Sequence, residues 1–180
     1  MEQLAKLSHR INTLNEYIGR GTAWLAVSMV LVQFIVVILR YVFAIGFIPL
    51  QETIWYMHGI LFMLGAGYTL FHDGHVRVDI LYREAPIKTK AKIDIFGVIF
   101  FLIPVCILLW WVSWSYVVNS WIVLEGSVET SGLPTIFLLK TVILVFVILL
   151  GLQAISTAIR SILILAGLED RAKELTHESF

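Results

Sequence analysis

Four long apolar stretches divide the chain, at roughly Thr22–Val42, Glu52–Leu70, Ile95–Val118 and Ile136–Ile159. Crossing about 30 Å of hydrocarbon takes about 20 helical residues, and each stretch is about that long. Hydrocarbon offers no water to bond backbone N–H and C=O groups, so each stretch is predicted to be a helix. All four lie inside the chain. The polar segment before the first is too long for a signal-peptide n-region, so the stretches read as permanent spans. The expected fold class is an all-α membrane protein, residues 1–180 forming a single four-helix transmembrane bundle.

Shorter patterns fill the gaps. In Met1–Gly21 the apolar residues Leu4, Leu7, Ile11, Leu14 and Ile18 recur every three or four positions. That spacing predicts an amphipathic helix lying on the membrane, with Lys6 and Arg10 toward headgroups. Ile80–Asp94 reads as a second interfacial element, interrupted at Pro86.

Composition agrees with the pattern. Apolar residues make up 59% of the 180 and charged residues 14%, against about 25% charged in ordinary soluble domains. Mean hydropathy is +0.88. A net charge of +0 argues against nucleic acid held by counterion release. The lone Cys106 rules out a disulfide framework and a cysteine-based metal site. No nucleotide-binding or hydrolase motif occurs, so the chain does not read as an enzyme.

The position of the charges sets the topology. Lys6, Arg10 and Arg20 precede the first span. Arg77, Arg83, Lys88, Lys90 and Lys92 follow the second, and Arg160, Arg171 and Lys173 follow the fourth. The connections Phe43–Gln51 and Asn119–Thr135 hold neither residue type. Positive charge marks the cytoplasmic side, so both termini and the 71–94 loop are expected there.

Ionisable groups at membrane depth are functional candidates. Arg40, Glu52 and Lys140 fall at similar depth near the outer ends of three spans. Either Glu52 pairs with Arg40 or Lys140, or the two cations snorkel to headgroups. His58 and Gln33 are the deeper polar groups, and His58 is expected to hydrogen-bond a neighbouring helix. Gly59 and Ala66 share a face of the second helix with Glu52, thinned further by Gly65 and Gly67. Gly151 and Ala158 share a face of the fourth with Lys140. Small residues allow close helix approach, either within the bundle or against a partner. Pro104 is placed to kink the third helix. Trp24, Trp55 and Trp121 sit where interfacial rings anchor. Trp110, Trp111 and Trp114 cluster in the third span, where packing is the simpler reading than a cation cage.

Residues 72–79, "HDGHVRVD", are the most polar run beside a span. His72, His75 and Asp79 have a spacing that would align metal ligands on a helix, but Gly74 weakens that helix. The run reads instead as a turn at Gly74 from crossing the membrane to lying along it. His75 follows the turn, Arg77 is set to meet phosphates or an adjacent subunit, and Asp79 is its local partner. No metal and no cofactor are assigned.

Together "RYVF" (40–43), "LQETIWY" (50–56), "LGAGYTLFHDGHVRVDIL" (64–81), "SGLPTIFLLK" (131–140) and "LLGLQ" (149–153) follow one ordered pattern. It resembles the small membrane subunit of tripartite ATP-independent periplasmic (TRAP) transporters, with "GHVRVD" as the most specific piece. The family often carries two adjacent acids where this chain has Gln51 and Glu52. The segment from Gly132 to Gln153 is most similar to members grouped with mannitol or chloroaromatic-type systems.

The resemblance implies a division of labour in the bacterial inner membrane. A periplasmic solute-binding protein captures an organic acid or related solute, and a large membrane subunit carries it inward on a sodium gradient. The small subunit, surrounded by lipid, acts as a scaffold for the large one. On this basis Glu125 and Glu129 in the 119–135 loop are candidates for docking the binding protein. Two rivals are a stand-alone transporter or channel, which would need more polar lining than His58 and Gln33, and a haem-carrying redox subunit, which would need facing histidines near both ends of the spans. The topology predicts that single cysteines placed at 88–92 react with membrane-impermeant reagents only after the inner face is opened. Labelling in intact cells would reverse the orientation.

Overall fold

In the computed structural model the described residues are 2–75, 82, 84–173 and 175; the side chains of Arg171 and Lys173 are not described. Arg77 and Asp79 lie outside the described residues. The chain is all-helical, with no strand among the described residues. Four helices are long and apolar enough to cross a membrane: α1 (Glu2–Tyr41), α2 (Ile48–Phe71), α3 (Ile87–Ile122) and α4 (Ile136–Leu165). A short α5 (Glu169–Lys173) follows. The first and last described residues, Glu2 and Leu175, lie toward one end of the molecule, and the connections 42–47 and 123–135 lie at the other.

The helices run further than the apolar stretches predict. The N-terminal segment is helical as expected, but it continues into the first span without a break, so α1 has 40 residues and a length of about 60 Å. Its amphipathic pattern is arranged inside-out. Ser8, Ile11, Asn12, Asn15, Glu16 and Gly19 face the protein, while Leu4, Leu7, Leu14 and Tyr17 are exposed. From Ser8 to Asn15 the axis of α1 advances about 10 Å, whereas their partners Ser156 and Gln153 are about 4.5 Å apart along α4. This end of α1 therefore crosses α4 obliquely.

The residues with lysines after Pro86 likewise run into the next apolar helix without a break. Pro86 caps α3, whose first turns carry Lys88, Lys90 and Lys92. Within α3, Val98–Leu102 form a π turn directly before Pro104. Proline lacks an N–H and its ring collides with the carbonyl four residues back, here Phe100. The widened turn relieves that collision and keeps one continuous helix.

Three helices end in the same device. In each, two amide donors cross back over the last turn: Asp73 N to Leu70 O with Gly74 N to Thr69 O, Leu124 N to Trp121 O with Glu125 N to Ser120 O, and Gly167 N to Ile164 O with Leu168 N to Leu163 O. This is the Schellman pattern, which needs a left-handed residue just past the helix. Those residues are Asp73 (φ 54), Leu124 (φ 45) and Gly167 (φ 79). The turn after α2 falls where the sequence places it, but the left-handed residue is Asp73, with Gly74 accepting the crowding of Thr69.

Packing is organised around α4. It touches α1, α2, α3 and α5, and α1 pairs closely with α2. Helix α3 leans on α4 and makes no comparable contact with α1 or α2. Of the apolar window of each helix, 44% is buried in α4, against 6% in α1 and 11% in α2 and α3. The arrangement is thus an open fan on a central helix. Cys106, Val147 and Leu150 form one core between α3 and α4. Ile159, Leu163, Ala172 and Leu175 form another at the end that carries the termini.

Two glycines set the α1–α2 approach. A Cβ on Gly19 would lie 2.3 Å from the Tyr68 ring, and one on Gly67 would lie 2.3 Å from Asn15 Oδ1. Overpacking of this kind costs about 1–3 kcal/mol. Gly67→Ala should therefore lower the detergent melting temperature, whereas Gly65→Ala, where a methyl meets open space, should not. Equal melting temperatures would show that the approach tolerates a side chain.

Candidate functional site: polar fastenings at both ends of the fan

At the loop end, a buried carboxylate holds the α3–α4 connection. Glu52 is 5% exposed. It accepts a hydrogen bond from the Ser127 hydroxyl and one from the Leu133 N–H at 2.6 Å. The loop closes on itself through Ser127 N to Leu133 O (3.0 Å) and Gly132 N to Glu129 O (2.9 Å). Gly132 passes so near that a Cβ would lie 2.6 Å from Glu52 Oε1. Thr135 donates to the Tyr56 hydroxyl at 3.4 Å. A buried acid meeting two donors is stabilised without a cation.

Lys140 belongs to a second cluster a few residues away. Its ammonium donates to Glu125 Oε2 at 2.5 Å and lies 3.9 Å from the Tyr116 ring centroid. Ser120 donates to the same Glu125 oxygen at 2.6 Å. The expected Glu52–Lys140 pair is thus replaced by Glu125–Lys140, because the turn at Leu124 delivers Glu125 to Lys140 first. Arg40 does not pair with Glu52 either; it is exposed at the end of α1 and makes no ion pair with a described residue. Hydrogen bonds from Lys140 and Ser120 hold the Glu125 carboxyl below its usual range. Glu129 is exposed at the loop tip beside Val128, which is fully exposed.

At the end that carries the termini, a run of amides and hydroxyls joins α1 to α4. Ser156 donates to Asn12 Oδ1 (2.6 Å), which leaves the Ser8 hydroxyl to donate to Ser156 (2.6 Å). Gln153 donates to Asn12 Oδ1 (3.1 Å) and accepts from Asn15 Nδ2 (2.8 Å). Asn12 Nδ2 reaches the Leu175 carbonyl (2.9 Å). Asn15 Oδ1 has no hydrogen-bond donor among the described residues and faces the Gly67 backbone, where a Cα–H contact is the available partner. Beside the run, Glu16 holds Arg20 and His72, each at 2.6 Å. Burial pushes the Glu16 carboxyl up, but hydrogen bonds from His72 and Arg20 outweigh it and leave it lowered.

The remaining candidates scatter. Gly59 packs on Leu139, 3.1 Å from where its Cβ would be. Gly65 and Gly151 face open space, and Ala66 and Ala158 are half-buried. His75 is exposed. His58 does not bond a neighbouring helix; it is exposed, and its ring stacks on Phe62 at 6.2 Å. Gln33 is also exposed. Trp110, Trp111 and Trp114 line a shallow groove on the outside of α3. No group of three metal-ligating side chains gathers among the described residues. The residues that sequence reasoning passed over are Ser8, Asn12, Asn15, Gln153 and Ser156. The signal was present: Ser8, Asn12, Asn15 and Glu16 recur at helical spacing beside the apolar stripe.

The described residues thus form an open fan of four helices long and apolar enough to cross a membrane, with several polar groups fastening one helix to the next or to a loop. A family model, "Tripartite ATP-independent periplasmic transporters, DctQ component", matches residues 29–163. That is most of the chain, and the chain belongs to this family: it is the small permease component of a TRAP transporter. No curated protein and no solved structure matches it.

Two measurements follow from the site. Left-handed geometry costs a non-glycine residue about 1–2 kcal/mol, and Leu124 is 63% exposed, so Leu124→Gly should raise the melting temperature. A fall would show that the leucine side chain matters more than its backbone. Glu16 is lowered from about 4.5, so its contribution is present above that pH and is lost as pH falls through the folded value. Melts between pH 3 and 7 should show a smaller acid loss in Glu16→Gln than in the parent chain.

Proposed function

We propose that the chain is the stationary scaffold of a TRAP-type secondary transporter. It lies in the bacterial inner membrane with both termini in the cytoplasm and steadies a large membrane subunit. That subunit carries an organic acid or related solute inward on a sodium gradient, after delivery by a periplasmic binding protein. One observation carries this reading: few residues in the apolar windows of α1, α2 and α3 are buried by their own chain, while polar fastenings hold α2 at both ends, α1 at the end near Ser8 and α3 at the end near Ser120. A fan held rigid at its ends and bare on its flanks suits a brace against which a moving subunit works.

In this reading the two loop acids divide their roles. Glu125 is occupied by Lys140 and serves the loop's shape. Glu129, at the tip of a loop pinned by Glu52, is the acid free to meet the binding protein, and preorganisation lowers the cost of that docking.

The test is reconstitution in liposomes under an imposed sodium gradient. The chain alone should move no solute, and the large subunit with the binding protein should need the chain for uptake. Glu129→Lys should reduce uptake several-fold while the two membrane subunits still co-purify; Glu125→Lys should also lower thermal stability. Solute movement by the chain alone would overturn the reading, and unchanged uptake in Glu129→Lys would remove the docking role.

A further inference from the structure

The surface of α2 that turns away from α1 and α4 carries a histidine to which the chain supplies no hydrogen bond among the described residues. His58 lies ten residues into α2, about 15 Å along the axis, well inside the apolar span. Its ring contact is Phe62, one turn on. Gly65, seven residues beyond His58, shares its face, and a side chain there would meet nothing within 4 Å. Trp55 and Phe62 flank the pair, 69% and 75% exposed. The same face continues through Trp55 into a groove of about 310 Å³ between α2 and α3, floored by Leu139 and Ile143 of α4.

Lipid tails offer an imidazole neither donor nor acceptor, and polar side chains inside a membrane almost always face protein or water. A neighbouring helix meets both needs of this face. Its polar side chain bonds the ring, and the missing side chain at Gly65 lets its backbone approach, where packing drives association in lipid. Resting on the scaffold reading above, we infer that this face of α2 seats a transmembrane helix of the large subunit. That helix presents a hydroxyl, amide or carboxylate to His58 and packs its backbone against Gly65. The groove beside Trp55 receives apolar side chains of the same helix.

The experiment uses the small and large subunits co-expressed and purified through a tag on the small one. A photo-crosslinking residue at Phe62 should capture the large subunit. His58→Leu should lower recovery of the large subunit about threefold or more, the effect of losing one hydrogen bond between membrane helices, and His58→Gln should restore most of it. Gly65→Leu should lower recovery likewise. Since His58 and Gly65 touch little of their own chain, the isolated variants should melt as the parent does, which separates docking from folding. Capture of lipid alone, or of a second copy of this chain, overturns the assignment, as does unchanged recovery in both His58→Leu and Gly65→Leu. If the parent subunits co-purify and Phe62 captures no large subunit, the face is wrong and the scaffold reading stands; if they do not co-purify, both fall.

Discussion

The arrangement of these four helices depends on hydrogen bonds that cross between them. In a bilayer, Leu, Ile and Val side chains gain little by leaving lipid for protein, so apolar surface alone does not choose a neighbour or a register. Glu52 with Ser127 and Leu133 makes that choice at one end, and Asn12, Asn15, Gln153 and Ser156 make it at the other. Each of these groups would be costly to leave unpaired away from water. That penalty, more than the gain from each bond, makes alternative registers unfavourable.

The two fastenings use different chemistry because they sit in different places. At the loop end a carboxylate gathers a loop, since backbone N–H groups left over from the α3–α4 connection need an acceptor. At the other end both partners are helices whose backbones are already satisfied, so the bonding falls to side chains, and neutral amides and hydroxyls suffice. Close approach accompanies both. Gly132 lies under Glu52, and Gly67 lies under Asn15. Between the ends, α2 and α3 diverge over α4 and leave the groove and faces that the chain does not fill.

Much of the fold was legible along the chain. The four spans follow from segment length, because backbone pairing in hydrocarbon permits little besides a helix. The turn after α2 was legible at "HDGH"; of the glycines read as packing positions, Gly59 and Gly67 meet a neighbour, whereas Gly65 and Gly151 face open space. The extent of the helices was not legible. Ile80–Asp94 suggested an interfacial element, yet Pro86 starts a helix as readily as it stops one, and the lysines after it are the first turns of α3. The partner of Lys140 was not legible for a related reason. Glu52 and Lys140 share a depth, but Glu125 reaches Lys140 through a left-handed residue at Leu124, a backbone state that leucine does not advertise.

Residue order by itself determined which segments cross the membrane, which end gathers the positive charge and to which family the chain belongs. These are properties of length, composition and local motif, readable one segment at a time. Only the tertiary structure decided that α4 is the hub, that the polar face of the N-terminal helix turns inward, and that His58 is left facing outward. Those outcomes depend on which helix stands beside which. In lipid that choice is made by a few polar side chains distant in sequence, Asn15 meeting Gln153 and Glu52 meeting Ser127, and a single segment carries no record of its partner.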